Sequence, residues 1–266
     1  MNTTSGKPLA VVTGASSGIG FELAKQFAKN GFDLIATAQS AKLHEAVPHF
    51  ESLGAKVESV QADLAEAEGV DRLFARIKAA GRPVDAIAIN AGVGLGGEFE
   101  ETDLKAELRL IDLNVKSTVH LAKHVVRDMV ERGQGRVLFT SSIAGTMPGP
   151  FEAVYAASKA FVLSFSEALR NELKDKGVTV TALMPGATET EFFHRAGMDD
   201  TSVGSDAKDD AEQVAEQGFD ALMAGKDSVV AGSLKTKLQG FANEILPETV
   251  KAAMHRGMSE PGSAKK

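Results

Sequence analysis

Leu9-Ala10-Val11-Val12-Thr13-Gly14-Ala15-Ser16-Ser17-Gly18-Ile19-Gly20 is an apolar run that breaks at a glycine turn. The residues after it, 19–30, carry Ile19, Leu23 and Phe27 at helical spacing and stop at Asn30-Gly31. The stretch therefore reads as strand, turn, helix. Glycines at such a turn let the backbone bend tightly and approach a pyrophosphate, whose charge then meets the free N–H groups at the helix start. No Lys-Ser/Thr pair follows Gly20, so the turn is not a P-loop and ATP or GTP hydrolysis is disfavoured. Its spacing is Gly-x-x-x-Gly-x-Gly, not the commoner Gly-x-Gly-x-x-Gly.

Outward from this unit the same pattern repeats. Strands are predicted at residues 9–13, 33–38, 56–61, 86–89, 136–141, 179–184 and 229–231. Helices are predicted at residues 19–30, 42–53, 65–80 and 154–176, and over 102–132 as one long helix or two abutting ones. Strands alternating with helices imply right-handed crossovers and a parallel sheet covered on both faces. The unbroken apolar run Ala86-Ile87-Ala88-Ile89 suits burial on two sides. Residues 189–216 stand apart: nine acidic residues against Arg195 and Lys208 give 2 − 9 = −7. With few apolar anchors, this segment reads as a substrate-side lid outside the sheet.

The whole chain of 266 residues carries 29 Lys+Arg against 36 Asp+Glu, a net charge of −7, and no cysteine. That excludes disulfides, thiolate nucleophiles and Cys-ligated metals, and it disfavours nucleic-acid binding. Residues 1–7 hold no apolar signal-peptide stretch, and no run reaches the ~18–20 apolar residues of a spanning helix. A cytoplasmic protein with no membrane or nucleic-acid partner is expected. No His-Glu-x-x-His or carboxylate cluster with ligand spacing is present, so no metal is expected.

Tyr155 and Lys159 stand at i and i+4 on one helix face, where a phenol and an ammonium can address one ligand. Tyr155 is the only tyrosine, in a chain that uses phenylalanine 14 times. Lowering a phenol from ~10 to ~7 requires about 4 kcal/mol. An ammonium ~4 Å away supplies about that at an effective dielectric of ~20. Ser141 and Ser142 end the preceding strand, at the edge where open α/β folds bind ligands. Neither sits in a Gly-x-Ser-x-Gly elbow, and His120, His124 and His194 show no partner pattern, which disfavours a serine hydrolase. The second strand ends Thr37-Ala38-Gln39-Ser40 with no carboxylate to select NAD. Gln39, Ser40 and Lys42 offer donors to a 2′-phosphate, so NADP(H) is expected, with NAD the lesser alternative.

In order along the chain stand Thr13-Gly14-x-x-x-Gly18-Ile19-Gly20, Asp63-Leu64, Asn90-Ala91-Gly92, Asn114, Ser142, Tyr155-x-x-x-Lys159 and Pro185-Gly186-x-x-x-Thr190. This set resembles the short-chain dehydrogenase/reductase family over about residues 9–193. The resemblance implies a doubly wound, mostly parallel Rossmann-type sheet of about seven strands in a single domain. Residues 8–186 would form the cofactor-binding and catalytic core, 187–216 the lid, and 259–266 a flexible tail. It implies that Tyr155 is the acid/base, Lys159 lowers its pKa and holds the nicotinamide ribose, Ser142 orients the carbonyl, and Asn114 holds a relay water. The glycine turn, with Ser16 and Ser17, would take the pyrophosphate and Asp63-Leu64 the adenine. Asn90-Ala91-Gly92 would pack along the cofactor, and Pro185, Gly186, Thr188 and Thr190 would hold the nicotinamide amide. Ile89 stands where many members have a further Asn.

The expected function is hydride transfer between NADP(H) and a carbonyl/secondary alcohol pair. The alternative is a dinucleotide-binding regulatory or scaffold protein without turnover. Phe192, Phe193, Met198, Val93, Leu95, Ile143 and Met147 suggest an apolar cleft. Ala156, Ala160, Ser164 and Ala168 offer a small-residue helix face to a second subunit, so a homo-oligomer, dimer or tetramer, is expected.

Overall fold

A computed structural model describes residues 6–264; residues 1–5 of the polar leading stretch and 265–266 of the expected tail lie outside it. The strands are β1 (Leu9–Thr13), β2 (Asp33–Ala38), β3 (Val57–Gln61), β4 (Ala86–Ile89), β5 (Gly135–Thr140), β6 (Val178–Pro185) and β7 (Ser228–Ala231). They form one parallel sheet in the order β3-β2-β1-β4-β5-β6-β7. The helices are α1 (Gly18–Lys29), α2 (Lys42–Ser52), α3 (Ala67–Ala79), α4 (Leu104–Ile111), α5 (Ser117–Arg132), α6 (Ala153–Leu173), α7 (Phe192–Arg195), α8 (Ser202–Ser205), α9 (Ala211–Met223), α10 (Leu234–Ile245) and α11 (Glu248–Ser259). Strand order reverses between β1 and β4, so the loops that follow them part and leave a crevice at the carboxyl edge.

Alternation along the central strands builds two cores. Ala10, Val12, Ala86 and Ala88 face one way; Leu9, Val11, Ile87 and Ile89 face the other. The alanine side leaves room for α1 and α9, with α2 beside them, while α3, α5 and α6 cover the larger side chains. Phe27 of α1 meets both Phe32 and Phe219 of α9 edge-on, with centroids 5.2 Å apart in each pair.

The structure decides one alternative left open by the sequence and differs from the sequence reading in three features. Residues 102–132 are two helices joined by a π-helical turn, Asp112–Lys116, which turns Asn114 inward to 2% exposure. Residues 211–216 belong to α9 and not to the lid, because Val214 and Ala215 pack into the core and Glu212 pairs with Lys29 of α1 at 2.7 Å. The acidic composition concealed a helix that covers the sheet. Residues 259–264 are tied down: Ser259 ends α11 in a buried position, and the N–H groups of Gly262 and Ala264 both bond Asp200 at 2.9 Å. Finally, α10 and α11 follow the last predicted strand and close over the sheet edge. Among the described residues no helix is long and apolar enough to cross a membrane.

Phe27→Ala should cost about 3–5 kcal/mol of unfolding free energy in a urea titration. A loss below about 1 kcal/mol would show that the α1–α9 contact does not bear on stability.

Candidate active site

The ends of three strands are tied together by two threonines and an asparagine. Thr13 Oγ1 accepts the N–H groups of Asn90 and Ala91, each at 2.9 Å, while Asn90 Nδ2 donates to the Thr13 carbonyl at 3.1 Å. Asn90 Oδ1 accepts Thr140 Oγ1 at 3.0 Å. The Thr140 carbonyl in turn accepts Lys159 Nζ at 3.0 Å. The crevice at the switch point is thus braced from β1 to α6.

The glycine turn is pressed against this brace. Gly14 and Gly18 have φ of +72° and +57°, a region that favours glycine. A Cβ on Gly14 would lie 3.0 Å from Asn90 Nδ2, one on Gly18 2.9 Å from Thr190 Cγ2, and one on Gly20 2.2 Å from the Gly14 carbonyl oxygen. Bare backbone beside the first turn of α1 is a cradle suited to a pyrophosphate.

The cleft above has a volume of about 680 Å³. Of the residues singled out for the cofactor, Gly14, residues 16–20, Gln39, Ser40, Asp63, Leu64, residues 90–92, Pro185, Gly186, Thr188 and Thr190 line it, and Lys42 does not. Ser142, Tyr155 and Lys159 line it too, while Asn114 sits behind the wall. The Asn114 amide donates to the Val93 carbonyl at 2.9 Å and to Ser158 Oγ at 3.0 Å, so its side chain braces the loop after β4. Gly92 is bare between Asn114 and Lys159: a Cβ there would lie 3.1 Å from Asn114 Oδ1 and 3.3 Å from Lys159 Nζ. The two serines divide their work. Ser141 Oγ bonds the Lys159 carbonyl at 2.7 Å and anchors α6, whereas Ser142 Oγ accepts the Ala144 N–H at 3.1 Å and donates to the Pro185 carbonyl at 3.4 Å on the cleft wall.

The electrostatics of the triad differ from the expectation. Burial, and then the neighbouring Glu152 carboxyl, push the Tyr155 phenol well above its ordinary value, against the pull of Ser142. Burial brings the Lys159 ammonium down to about 8. Its Nζ lies 5.7 Å from the Tyr155 ring centroid and is spent on Thr140, so it does not overcome the cost of burying a phenolate. The sequence arithmetic supplied the attraction and left out the desolvation.

At the end of β2, Gln39 Nε2 donates to Asp63 Oδ2 at 3.0 Å, and Arg109 holds the same oxygen at 2.6 Å. Asp63 Oδ1 accepts the N–H of Ala65 at 3.0 Å. Lys42 reaches across to Glu191 of the lid at 3.1 Å. Its hydrogen bond, with the charge of Arg195 beside it, holds the exposed Glu191 carboxyl below its usual range. Farther along, Phe192 covers Tyr155 with ring centroids 5.2 Å apart. Phe193, Val93, Ile143 and Met147 join the lining; Leu95 does not, and Met198 packs beneath Gly96 instead.

The sequence reading missed the contribution of α10 and α11. Thr236, Gln239, His255, Met258 and Ser259 line the cleft, opposite Glu152 at the start of α6. A signal was there: Ser233 caps α10 by accepting the N–H of Thr236, ahead of Leu234, Leu238 and Phe241 at helical spacing. The reading also missed a grouping of Asp71, His120 and His124, whose ligand atoms lie within 4.8 Å of one another on α3 and α5. It lies outside the cleft, and the His124 ring is stacked on Phe74 at 4.3 Å.

Comparison with known proteins agrees with this geometry. The family model for short chain dehydrogenase matches residues 8–201. A 3-oxoacyl-[acyl-carrier-protein] reductase of Escherichia coli (strain K12) is 32% identical over 196 residues, 74% of this chain and 79% of that protein. An NADP-dependent 3-hydroxy acid dehydrogenase of Salmonella typhi is 34% identical over 186 residues, 69% of this chain and 74% of that protein. The structure of a short-chain dehydrogenase from Sphingobium yanoikuyae in complex with NADPH superposes with a TM-score of 0.78 at 31% identity, covering 84% of this chain and 87% of that one. The chain belongs to the short-chain dehydrogenase/reductase family, oxidoreductases that act on CH–OH/C=O pairs with NAD(P).

Proposed function

We propose that the protein transfers hydride between NADP(H) and an apolar carbonyl/secondary alcohol pair. The observation that carries this reading is the meeting of Tyr155, Ser142 and Lys159 in the same cleft as the glycine turn. The cofactor supplies or takes the hydride at the carbonyl carbon. Ser142 donates to the substrate oxygen and fixes its direction. Tyr155 gives its proton to that oxygen in reduction and takes it back in oxidation. Lys159 donates to the nicotinamide ribose hydroxyls and keeps the region round the phenol cationic. Asn114 keeps Val93 and Ser158 in place behind Lys159, and through a bound water links that ammonium to solvent. Phe192 over Tyr155 excludes water from the reacting oxygen.

Preference for NADP rests on the end of β2, where Gln39 and Ser40 stand in place of a carboxylate; Lys42, which follows them, is paired with Glu191 at 3.1 Å. The Salmonella typhi enzyme and the Sphingobium yanoikuyae structure are described with NADP or NADPH, whereas a reductase structure from Brucella melitensis at 25% identity is described with NADH. The protein works in the cytoplasm as a homo-oligomer, through the exposed Ala160, Ser164 and Ala168 of α6.

Tyr155→Phe should abolish turnover and leave NADPH affinity unchanged within about twofold. Activity surviving within about tenfold of wild type, ~1.4 kcal/mol of barrier, would remove Tyr155 from its role. By fluorescence titration NADPH should bind tighter than NADH, and Gln39→Asp should weaken NADPH at least tenfold; tighter NADH binding by the wild type would reverse the cofactor assignment. The pH dependence follows from the raised phenol. Oxidation needs the phenolate, which is scarce at neutrality, so its kcat/KM should climb as pH rises from 7 to 10. Reduction needs the phenol and should not climb over that range. An oxidation rate flat across pH 7–10 would contradict a Tyr155 base with a raised pKa.

A further inference from the structure

Glu152 stands one turn before Tyr155 at the start of α6 and lines the cleft while only 5% exposed. Its Oε2 accepts Ser259 Oγ at 3.0 Å and lies 3.5 Å from His255 Nε2, both from α11. His255 Nδ1 faces the Pro150 carbonyl at 3.2 Å, a contact that places its proton there, and burial disfavours a second proton on the ring. Oε1 takes no hydrogen bond from the described residues. Nor does any Lys or Arg among them pair with the carboxyl. Lys159 is held by the Thr140 carbonyl, Lys251 by the Thr146 and Asn243 carbonyls and Glu248, Lys208 by the Gly204 and Asp206 carbonyls, and Arg195 by Glu191, while Lys235 lines the cleft exposed and makes no ion pair with Glu152.

A buried carboxylate without a cation is unfavourable, and burial accordingly pushes Glu152 up to about 7, against the bond from Ser259. The neighbouring walls, Ile143, Met147, Phe192 and Met258, are apolar and cannot satisfy it. A cation entering the cleft would supply the missing charge.

On the reaction proposed above, we infer that Glu152 is a specificity residue for substrates bearing an ammonium group, that is, amino ketones and amino alcohols. Their cation pairs with Glu152 while the carbonyl oxygen meets Tyr155. Residues at i and i+3 have Cβ atoms roughly 5–6 Å apart, which suits a tether of about two to four carbons between carbonyl and nitrogen.

The test uses phenyl ketones whose alkyl chain of two to four carbons ends in dimethylammonium or in its neutral isostere, isopropyl. Both kcat/KM with NADPH and calorimetric affinity for the NADP⁺-bound enzyme are measured. Wild type should favour the ammonium ketone at least tenfold at its best tether. Glu152→Gln should bring that ratio near one. Glu152→Asp should keep the preference and move it to a tether one carbon longer. A wild-type ratio near one, or the same ratio in Glu152→Gln, overturns the inference. If Glu152→Gln fails to fold, the aspartate variant decides: an unmoved tether optimum overturns it. Ammonium selectivity in binding without turnover of either ketone would instead sink the proposed reaction and leave this subsite standing.

Discussion

The Lys159 ammonium is buried, and the carboxyl edge of the sheet is organised around satisfying it. Among the described residues its one hydrogen bond runs to the Thr140 carbonyl at the end of β5. Thr140 is fixed by Asn90 at the end of β4, and Asn90 by Thr13 at the end of β1. Each link joins a strand end to its neighbour in the sheet, the last of them across the switch point, so the position of one cation is set by the strand order. The same chain positions the glycine turn, because Gly14 and Gly20 are bare where Asn90 and the turn's own backbone approach. The proposed cofactor cradle and the proposed acid/base pair are therefore one construction. A shift of Asn90 would disturb both, which suits chemistry that requires two reactants at fixed separation.

The sheet and its helices were legible because they rest on periodicity. Two-sided burial writes itself as Ala86-Ile87-Ala88-Ile89, and the helix ends are written as Gly31, Gly54, Gly133 and Gly177, each with positive φ. Much of the site was legible for the same reason: turn, strand ends and Tyr155 lie at the ends of periodic elements. Composition alone misled. The acidic count over 189–216 concealed α9, whose Glu212 serves the lysines of α1. Electrostatics were the least legible part. Attraction between Tyr155 and Lys159 follows from i, i+4 spacing, but the larger opposing cost follows from how deeply the fold buries both. Contacts such as Ser259 to Glu152 join residues 107 positions apart, and no local pattern announces them.

The lid and the carboxyl-terminal helices divide the cleft between them. Asp209 shows how they are coupled. Its N–H and carbonyl pair with the strand leaving β6, while its carboxylate binds Thr236 and the N–H of Ser233 at the start of α10. Beyond it, Ala264 is tied to Asp200. The lid is thereby moored to α10 and to the end of the chain as well as to the sheet.

Recognition and chemistry share one turn of α6. Glu152 raises the Tyr155 phenol because two anions that close cannot both form cheaply. A cation seated on Glu152 cancels that charge as seen from Tyr155. The phenolate needed for oxidation then becomes easier to form when the matching ligand is bound and stays costly when it is not. An apolar ligand that fills the cleft without a cation leaves Glu152 to keep its proton or its repulsion. On the subsite reading, discrimination would therefore emerge in the proton-transfer step as well as in binding, because the same carboxyl group acts on both.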